Sequence, residues 1–505
     1  MKLFEESAIA AFSDQWNALY EQSNTKRLWE GFCSSPDPAD SSLYKRFLVF
    51  IEALLVKLSD AVRESFLDRI FGSELLKKLF FACFALYLPI EYFLRDMLKL
   101  SVASVWEEAF ICAGIFLVLW RTLSGRGGGC LARATSLEIC LLLYIVIGLL
   151  LMCINEPFPR IAFAGFRAQY EYLIWFFIII RLIDSREDAR FLVRSFLAVI
   201  ALLSLHGIYQ FIVAVPIPES WVAQAEMSVR TRVFGLTGSP NIFGSLLVLG
   251  APSAAAMMYY VKDTRQKIFF LGLTGIICLC DLFTFSRGSW VGLVAAIIVF
   301  ALYVDRRLFL VMLAAISGIL VLVPSIAQRI AFLFTSSYLQ ASSIGGRSLR
   351  WETGRTLLHE NSPWIGFGLG RFGGAVAMNN QVLDKTEEFE YFYMDNYYLK
   401  VLVESGYLGL ITFILCLVVF VILAVKAIYK AGRGFEALRS RDQLIRNAGN
   451  DKLLAVGLFS GMCGIMVHCY FENIFEEPYM MAYFWGLAAV LLYFGMDKNG
   501  QICRS

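Results

Sequence analysis

Charge is scarce in this 505-residue chain: Asp, Glu, Lys and Arg make up 17% of it, where soluble domains reach about 25%, and 58% of its residues are hydrophobic. So little polarity cannot clothe a soluble globule, which excludes a water-soluble enzyme built from a few two-layer domains. Histidine is scarcer still, with three copies. His206 and His468 fall in apolar runs without metal-ligand spacing, and His359 stands beside Glu360, so no zinc site is readable. The twelve cysteines include no CxxC pair. Most of them (Cys83, Cys112, Cys140, Cys153, Cys278, Cys280, Cys416, Cys463 and Cys469) lie in or at the edge of apolar runs and read as small core residues. A net charge of +3 excludes a strongly basic nucleic-acid binder. The start lacks a basic n-region leading into an unbroken apolar stretch, so it does not read as a cleavable signal peptide. Internal repeats and proline-rich linkers are missing too.

Long apolar runs are what the chain does have, at 79–94, 102–120, 137–154, 171–184, 192–213, 240–260, 268–285, 288–304, 308–324, 407–428, 454–471 and 478–495. Crossing a bilayer takes roughly 20 such residues, so the pattern predicts an all-α polytopic membrane protein with about twelve transmembrane helices, 171–184 being the shortest. The run at 47–58 is too short to span and reads as interfacial. Leu3, Phe4, Ala8, Phe12, Trp16, Leu19 and Tyr20 recur at helical spacing, which suits a helix on the inner membrane surface or one packed on the protein's own base. The expected organisation is an interfacial segment at 1–75, nine helices at 76–324, one large loop at 325–406, and three helices with a tail at 407–505.

Orientation follows from Lys and Arg near span ends. With both termini cytoplasmic, the inner loops carry 17 such residues: Arg121, Arg126, Arg133, Arg181, Arg186, Arg190, Lys262, Arg265, Lys267, Arg306, Arg307, Lys430, Arg433, Arg439, Arg441, Arg446 and Lys452. The short outer loops carry seven, namely Arg95, Lys99, Arg160, Arg167, Arg230, Arg232 and Arg287, and the last outer loop is acidic, with Glu472, Glu476 and Glu477. The large loop at 325–406 then faces outward, holds no cysteine, and exceeds the usual connection length, so it reads as a working element.

Arginines on the disfavoured side ask for a reason. Arg230, Arg232 and Arg287 stand at span ends, where a guanidinium is costly unless it is paired, snorkels or meets an anion. The planar fork suits a phosphate or pyrophosphate carried on a lipid; the alternative is an interfacial anchor or a partner for a nearby carboxylate. Asp281, inside the preceding span, is expected to pair with Arg232 or Arg287. In FGLTGSPNIFG (234–244) the Gly, Ser-Pro and Asn mark a tight turn, with Asn241 able to cap the next helix. GFGLGRFGG (366–374) holds a literal GxGxxG through Gly368, Gly370 and Gly373, but no β-strand precedes it, so the dinucleotide reading is rejected in favour of a Gly-rich lid or turn lining a sugar site, with Arg371 as a further cation.

Four stretches, RVFGLTGSPNIFG (232–244), FSRGSWVGL (285–293), GRSLRWETGRTLLHENSPWIGFGLGRFG (346–373) and DNYYLKVLVESGYLGL (395–410), resemble in their order and spacing the O-antigen ligase and polymerase superfamily. These are integral membrane glycosyltransferases that use undecaprenyl-pyrophosphate-linked glycans. The resemblance implies that Arg232 and Arg287, with Arg347 and Arg371 as further cations, hold the donor pyrophosphate. It also implies that Asp395, standing where the family carries a His before Asn396, acts on the acceptor hydroxyl. From the residues alone, Asp395 reads equally as a general base or as a helix cap, and Glu404 as a second catalytic carboxylate or an ion-pair member. Trp351, Asn396 and Tyr397 are the candidate glycan contacts, and Trp351 and Tyr397, like Trp364, Tyr391 and Tyr393, suit either sugar stacking or packing on the membrane surface.

The resemblance further implies a protein of the bacterial cytoplasmic membrane, with both termini inside and the active site on the outer face. It would transfer a glycan from undecaprenyl pyrophosphate to a sugar hydroxyl in surface polysaccharide assembly, without metal or other cofactor. Its partners would be the lipid-linked donor, a glycan or lipid-linked acceptor and the bilayer, with no nucleic acid and no oligomeric state specified. Lack of the family His favours an O-antigen polymerase over a ligase acting on lipid A core in lipopolysaccharide. A transporter of inorganic carbon or another solute is the reading from a different class; against it stand the few acidic residues within spans and the absence of an inverted repeat.

Overall fold

A computed structural model describes residues 23–62, 65–100, 105–126, 129–154, 158–218, 231–322, 326–328, 331, 335, 346–381, 392–441 and 450–496. Among these the chain is helical, without a β-strand. The principal helices are α1 (Asn24–Ser34), α2 (Leu43–Lys57), α3 (Glu74–Ala85), α4 (Trp106–Leu123), α5 (Ser136–Ile154), α6 (Pro159–Tyr170), α7 (Ile174–Leu182) and α8 (Arg186–Ile212). They continue with α9 (Pro240–Tyr260), α10 (Thr264–Phe283), α11 (Arg287–Tyr303), α12 (Leu308–Leu322), α13 (Arg347–Glu360), α14 (Tyr397–Arg441), α15 (Asp451–His468) and α16 (Pro478–Phe494). Six of them, α5, α8, α9, α10, α14 and α15, are long and apolar enough to cross a membrane; α11, α12 and α16 are shorter apolar helices. This is an all-α membrane protein.

Two apolar runs depart from the hydropathy pattern: 79–94, expected as one span, is divided between α3, a short helix at Tyr87–Tyr92 and a π-helical turn at Phe93–Met97. The segment at 171–184 holds only the nine-residue α7, preceded by a 3₁₀ turn at Glu171–Leu173. At 1.5 Å per residue α7 is roughly 14 Å long, about half the hydrocarbon thickness. Before it lies α6, whose mixed polarity gave no apolar run to read. The run at 47–58 falls on α2, where Leu43, Phe47, Phe50 and Leu54 form an exposed stripe at helical spacing, as an interfacial helix would. The helix expected over residues 3–20 lies outside the described residues, as do Arg230 and Tyr391.

Small residues set the core. Gly457, Gly461 and Gly464 line one face of α15, where an added Cβ would come within 2.6 Å of Ala256 Cβ, 2.5 Å of Leu249 O and 2.6 Å of Gly292 O respectively. This stripe lets α9 and α11 approach α15 at backbone distance, the way membrane helices associate when no hydrophobic drive separates lipid from protein. Beside them α16 is buried on all sides, so an apolar sequence without amphipathic period becomes the axis of the bundle.

The bundle has two polar ends, separated along α8. In its first turn Asp188, with Asp184, binds Lys77 Nζ at 2.8 and 2.7 Å; in its last turn Gln210 holds the backbone of Phe234 and Gly235. Those two residues are roughly 33 Å apart by helix rise. Glu74, Asp184 and Asp188 cluster closely, but Lys77 and Arg121 sit among them, so the group is a compensated ion-pair network. Asp451 pairs there with Arg186 and Arg190. At the other end lie the 231–239 turn, the start of α11, α13 and the 469–477 turn.

At that end α14 is broken at Gly406, whose φ of 64° and ψ of −170° suit glycine alone. The 363–368 backbone plugs the break: Phe367 N and Gly368 N donate to Val403 O and Glu404 O at 2.7 and 3.0 Å, while Tyr407 N and Leu408 N donate to Pro363 O and Trp364 O. Carbonyls and amides orphaned by the break are thereby satisfied. The GxGxxG stretch begins in this plug at Gly368 and is wedged against α6, where a Cβ on Gly165 would meet Gly370 N at 2.2 Å.

Candidate functional site

Arg232 is placed by its backbone before its side chain. Val233 N donates to Phe283 O at 3.0 Å, and the Gln210 side chain clasps Phe234 and Gly235, so the segment is stitched to the ends of α8 and α10. The guanidinium, 7% exposed, donates through Nε to Thr284 O at 3.0 Å and through Nη2 to Asn241 Oδ1 at 3.1 Å. Asn241 Nδ2 in turn donates to Glu472. Asn241, able by its position to cap α9, does not do so; that role falls to Ser239, whose hydroxyl accepts from Ile242 N.

Arg287 opens α11, capped by Ser286, so its charge adds to the positive end of the helix dipole. Its neighbour Gly288 packs on the end of α15: a Cβ there would lie 2.7 Å from His468 Nε2 and 3.1 Å from Phe471 Cβ. His468 is buried, with Nδ1 2.9 Å from Ser245 Oγ. The same Ser245 Oγ lies 3.1 Å from Asn241 O, and His468 Nε2 faces the first turn of α11.

From the other side comes α13. Arg347 Nε binds Asp395 Oδ2 at 2.6 Å, and its Nη2 donates to Phe471 O at 3.0 Å. Trp351, one turn along, donates Nε1 to Asp395 Oδ1 at 3.1 Å and sets its ring edge-on to Tyr470. Asp395 is nearly buried and is held by these two side chains rather than serving as a helix cap. Asn396 is the cap: its Oδ1 accepts from Leu399 N at 3.0 Å. Arg232, the start of α11, Arg347, Trp351 and Asp395 thus converge on residues 470–472, a segment whose carboxylate, Glu472, was read from the sequence only as loop charge. Burial and the nearby Asp395 charge push the Glu472 carboxyl above its ordinary range, against the pull of Asn473 N–H, Asn241 and Arg347.

Other residues singled out in the sequence go elsewhere. Tyr397 is 1% exposed, its ring edge-on to Phe413 and Phe475, which leaves no face for a sugar. Glu404 is buried against Lys400 Nζ at 3.1 Å and accepts from Phe372 N, so it takes the ion-pair role. Arg371 is held within the plug, donating to Phe367 O at 2.8 Å and lying over the Phe367 ring. Asp281 is buried beside Gly244 and Ser289, and neither Arg232 nor Arg287 pairs with it: both its carboxylate oxygens lack a hydrogen-bond partner among the described residues. Arg167 pairs with the nearby carboxylates of Glu108 and Glu171. Trp364 and Tyr393 are exposed.

Guanidinium groups and carboxylates thus gather at one end of a helical membrane bundle. Residues 270–414 match the family model described as O-antigen ligase. Over that stretch the chain is similar to the O-antigen ligase superfamily, and the match supports membership in it. The matched stretch takes in Arg287, Arg347 and Asp395 and leaves Arg232, Asn241, His468 and Glu472 outside it. No curated protein matches the chain.

Proposed function

We propose that the protein transfers a glycan from undecaprenyl pyrophosphate to a sugar hydroxyl on the outer face of the bacterial cytoplasmic membrane, acting as a polysaccharide polymerase. The observation that carries this reading is the convergence of Arg232, the Arg287 turn, Arg347 and Asp395 on the 470–472 segment. In the reaction the acceptor oxygen bonds to the anomeric carbon, the bond from that carbon to the pyrophosphate oxygen breaks, and the hydroxyl proton passes to Asp395. Negative charge grows on the leaving pyrophosphate, so guanidinium groups fixed beforehand stabilise the transition state more than the ground state. The 325–406 segment binds the acceptor and keeps water from the donor, whose hydrolysis is the competing reaction.

Placing the site outside and both termini inside follows the 17-to-7 charge asymmetry, with the apolar helices as about twelve spans and the first 75 residues at the inner surface. The second reading is a ligase that attaches the glycan to another acceptor such as lipid A core, favoured by the description of the matched family. Asp395 at the family's His position favours the polymerase.

The test is incorporation of labelled glycan from the lipid-linked donor in reconstituted membranes. Arg232→Ala and Arg287→Ala should each abolish transfer at matched expression, and Lys at either position should restore little, since the bidentate fork is lost. Full activity in both alanine variants removes the pyrophosphate site. Supplying lipid A core as sole acceptor separates ligase from polymerase.

A further inference from the structure

Asn241 has a polar partner at each end of its amide, and the reaction outlined above uses neither contact. Its Oδ1 accepts from Arg232 Nη2 at 3.1 Å, and its Nδ2 donates to Glu472. A carboxylate can only accept, whereas an amide accepts at one end and donates at the other. Glu472 therefore decides which way the amide points. With nitrogen drawn to Glu472, oxygen faces the guanidinium; a flipped amide would set N–H against N–H at one end and oxygen against oxygen at the other.

Each member of this chain is fixed independently. Asn241 O accepts from Ser245 Oγ at 3.1 Å, Glu472 Oε1 accepts from Asn473 N at 3.1 Å, and Arg232 Nε is tied to Thr284 O at 3.0 Å. Two hydrogen bonds to separate atoms set the plane of a guanidinium, and its plane decides whether the fork meets a pyrophosphate in bidentate fashion. Asn241 and Glu472 come from α9 and the 469–477 turn, outside the 270–414 stretch that matches the family model.

We propose that Glu472 and Asn241 are positioning residues for the donor pyrophosphate: Glu472 orients the Asn241 amide, and the amide orients Arg232. The proposal rests on the donor reading given under Proposed function. It asks no chemistry of Glu472, which distinguishes it from a role as general base.

A reciprocal exchange of amide and acid tests it, with KM for the lipid-linked donor and kcat measured separately in reconstituted membranes, and thermal stability followed in parallel. Asn241→Asp keeps the acceptor for Arg232 but sets two carboxylates together, so donor KM should rise about tenfold or more, the worth of one charge-assisted hydrogen bond. Glu472→Gln alone should lose only a few-fold, because the Gln oxygen can still accept from Asn241. The double variant Asn241→Asp/Glu472→Gln restores a donor facing an acceptor at each junction, so its donor KM should return to within about threefold of the parent while its kcat stays near the parental value. Two outcomes overturn the proposal. In one, Glu472→Gln and the double variant both lose kcat, which makes Glu472 a participant in the chemistry; in the other, Asn241→Asp keeps the parental donor KM. If Arg232→Ala itself transfers normally, the donor reading fails; if Arg232→Ala is dead while Asn241→Asp is normal, only the relay does.

Discussion

Replacing Asp395 with Asn removes a charge and leaves nearly everything else in place. The carboxamide oxygen can still accept from Trp351 Nε1, 3.1 Å away, and the shape is unchanged. If Asp395 only anchors α13, the loss is that of one ion pair whose Arg347 side chain is 38% exposed, and such pairs contribute about 0–1 kcal/mol to stability. Transfer should then change by no more than a few-fold. If Asp395 takes the acceptor proton, the rate should fall by roughly 10²-fold or more, or about 2.7 kcal/mol of barrier. The two roles differ by more than the scatter of a careful assay. The measurement is kcat for labelled glycan transfer from pH 5 to 9 at matched expression, with melting temperature as the structural control. Asp395→His should retain part of the activity, rising with pH through about 6.5 as the imidazole loses its proton. An Asn variant with parental kcat across the whole pH range would refute the base assignment and leave Asp395 as an anchor.

Transfer should survive EDTA, because guanidinium groups supply the charge; loss on chelation restored by Mg²⁺ or Mn²⁺ would point to acidic metal ligands instead. In a cysteine-depleted background, Thr356→Cys on α13 should react with an impermeant thiol reagent added to spheroplasts and Thr264→Cys at the start of α10 should not, and the reverse pattern would invert the topology. Burial and the neighbouring Glu476 push the Glu477 carboxyl up to about 7. The folded state then holds a proton that the unfolded chain gives up near 4.5, so stability from this group is present at low pH and lost as pH rises through about 7; Glu477→Gln should flatten that part of the melting profile, and an unchanged profile would contradict the burial argument.

Hydropathy makes most of the membrane helices legible, because apolar length is a local property, but the runs at 79–94 and 171–184 are each broken into shorter elements. Amphipathic α6 escapes because its burial is decided by neighbours distant in sequence. Asp395, Arg347 and Trp351 were reachable through motif order. Glu472 was not: its link to Asn241 joins residues 231 positions apart, and nothing in either segment marks the pairing. Tyr397 shows the converse error, since an aromatic within a motif looks alike whether it faces a sugar or the core, and only its burial against Phe413 and Phe475 reveals that it turns inward. Asp281 was placed near the arginines by depth, but depth along a helix does not give direction around it.

The plug at Gly406 also limits how the protein can be recombined. The 363–368 segment is bonded into the interior of a membrane helix, so 363–368 and 403–408 are two halves of one joint. A graft that moves the segment between relatives but cuts at the apparent membrane boundary would separate those halves, exposing four backbone groups on each side of the cut that have no other partner in the break. Exchanges that carry 363–410 as a single cassette keep the joint whole, and the flanking stretches can then be varied without loosening the bundle.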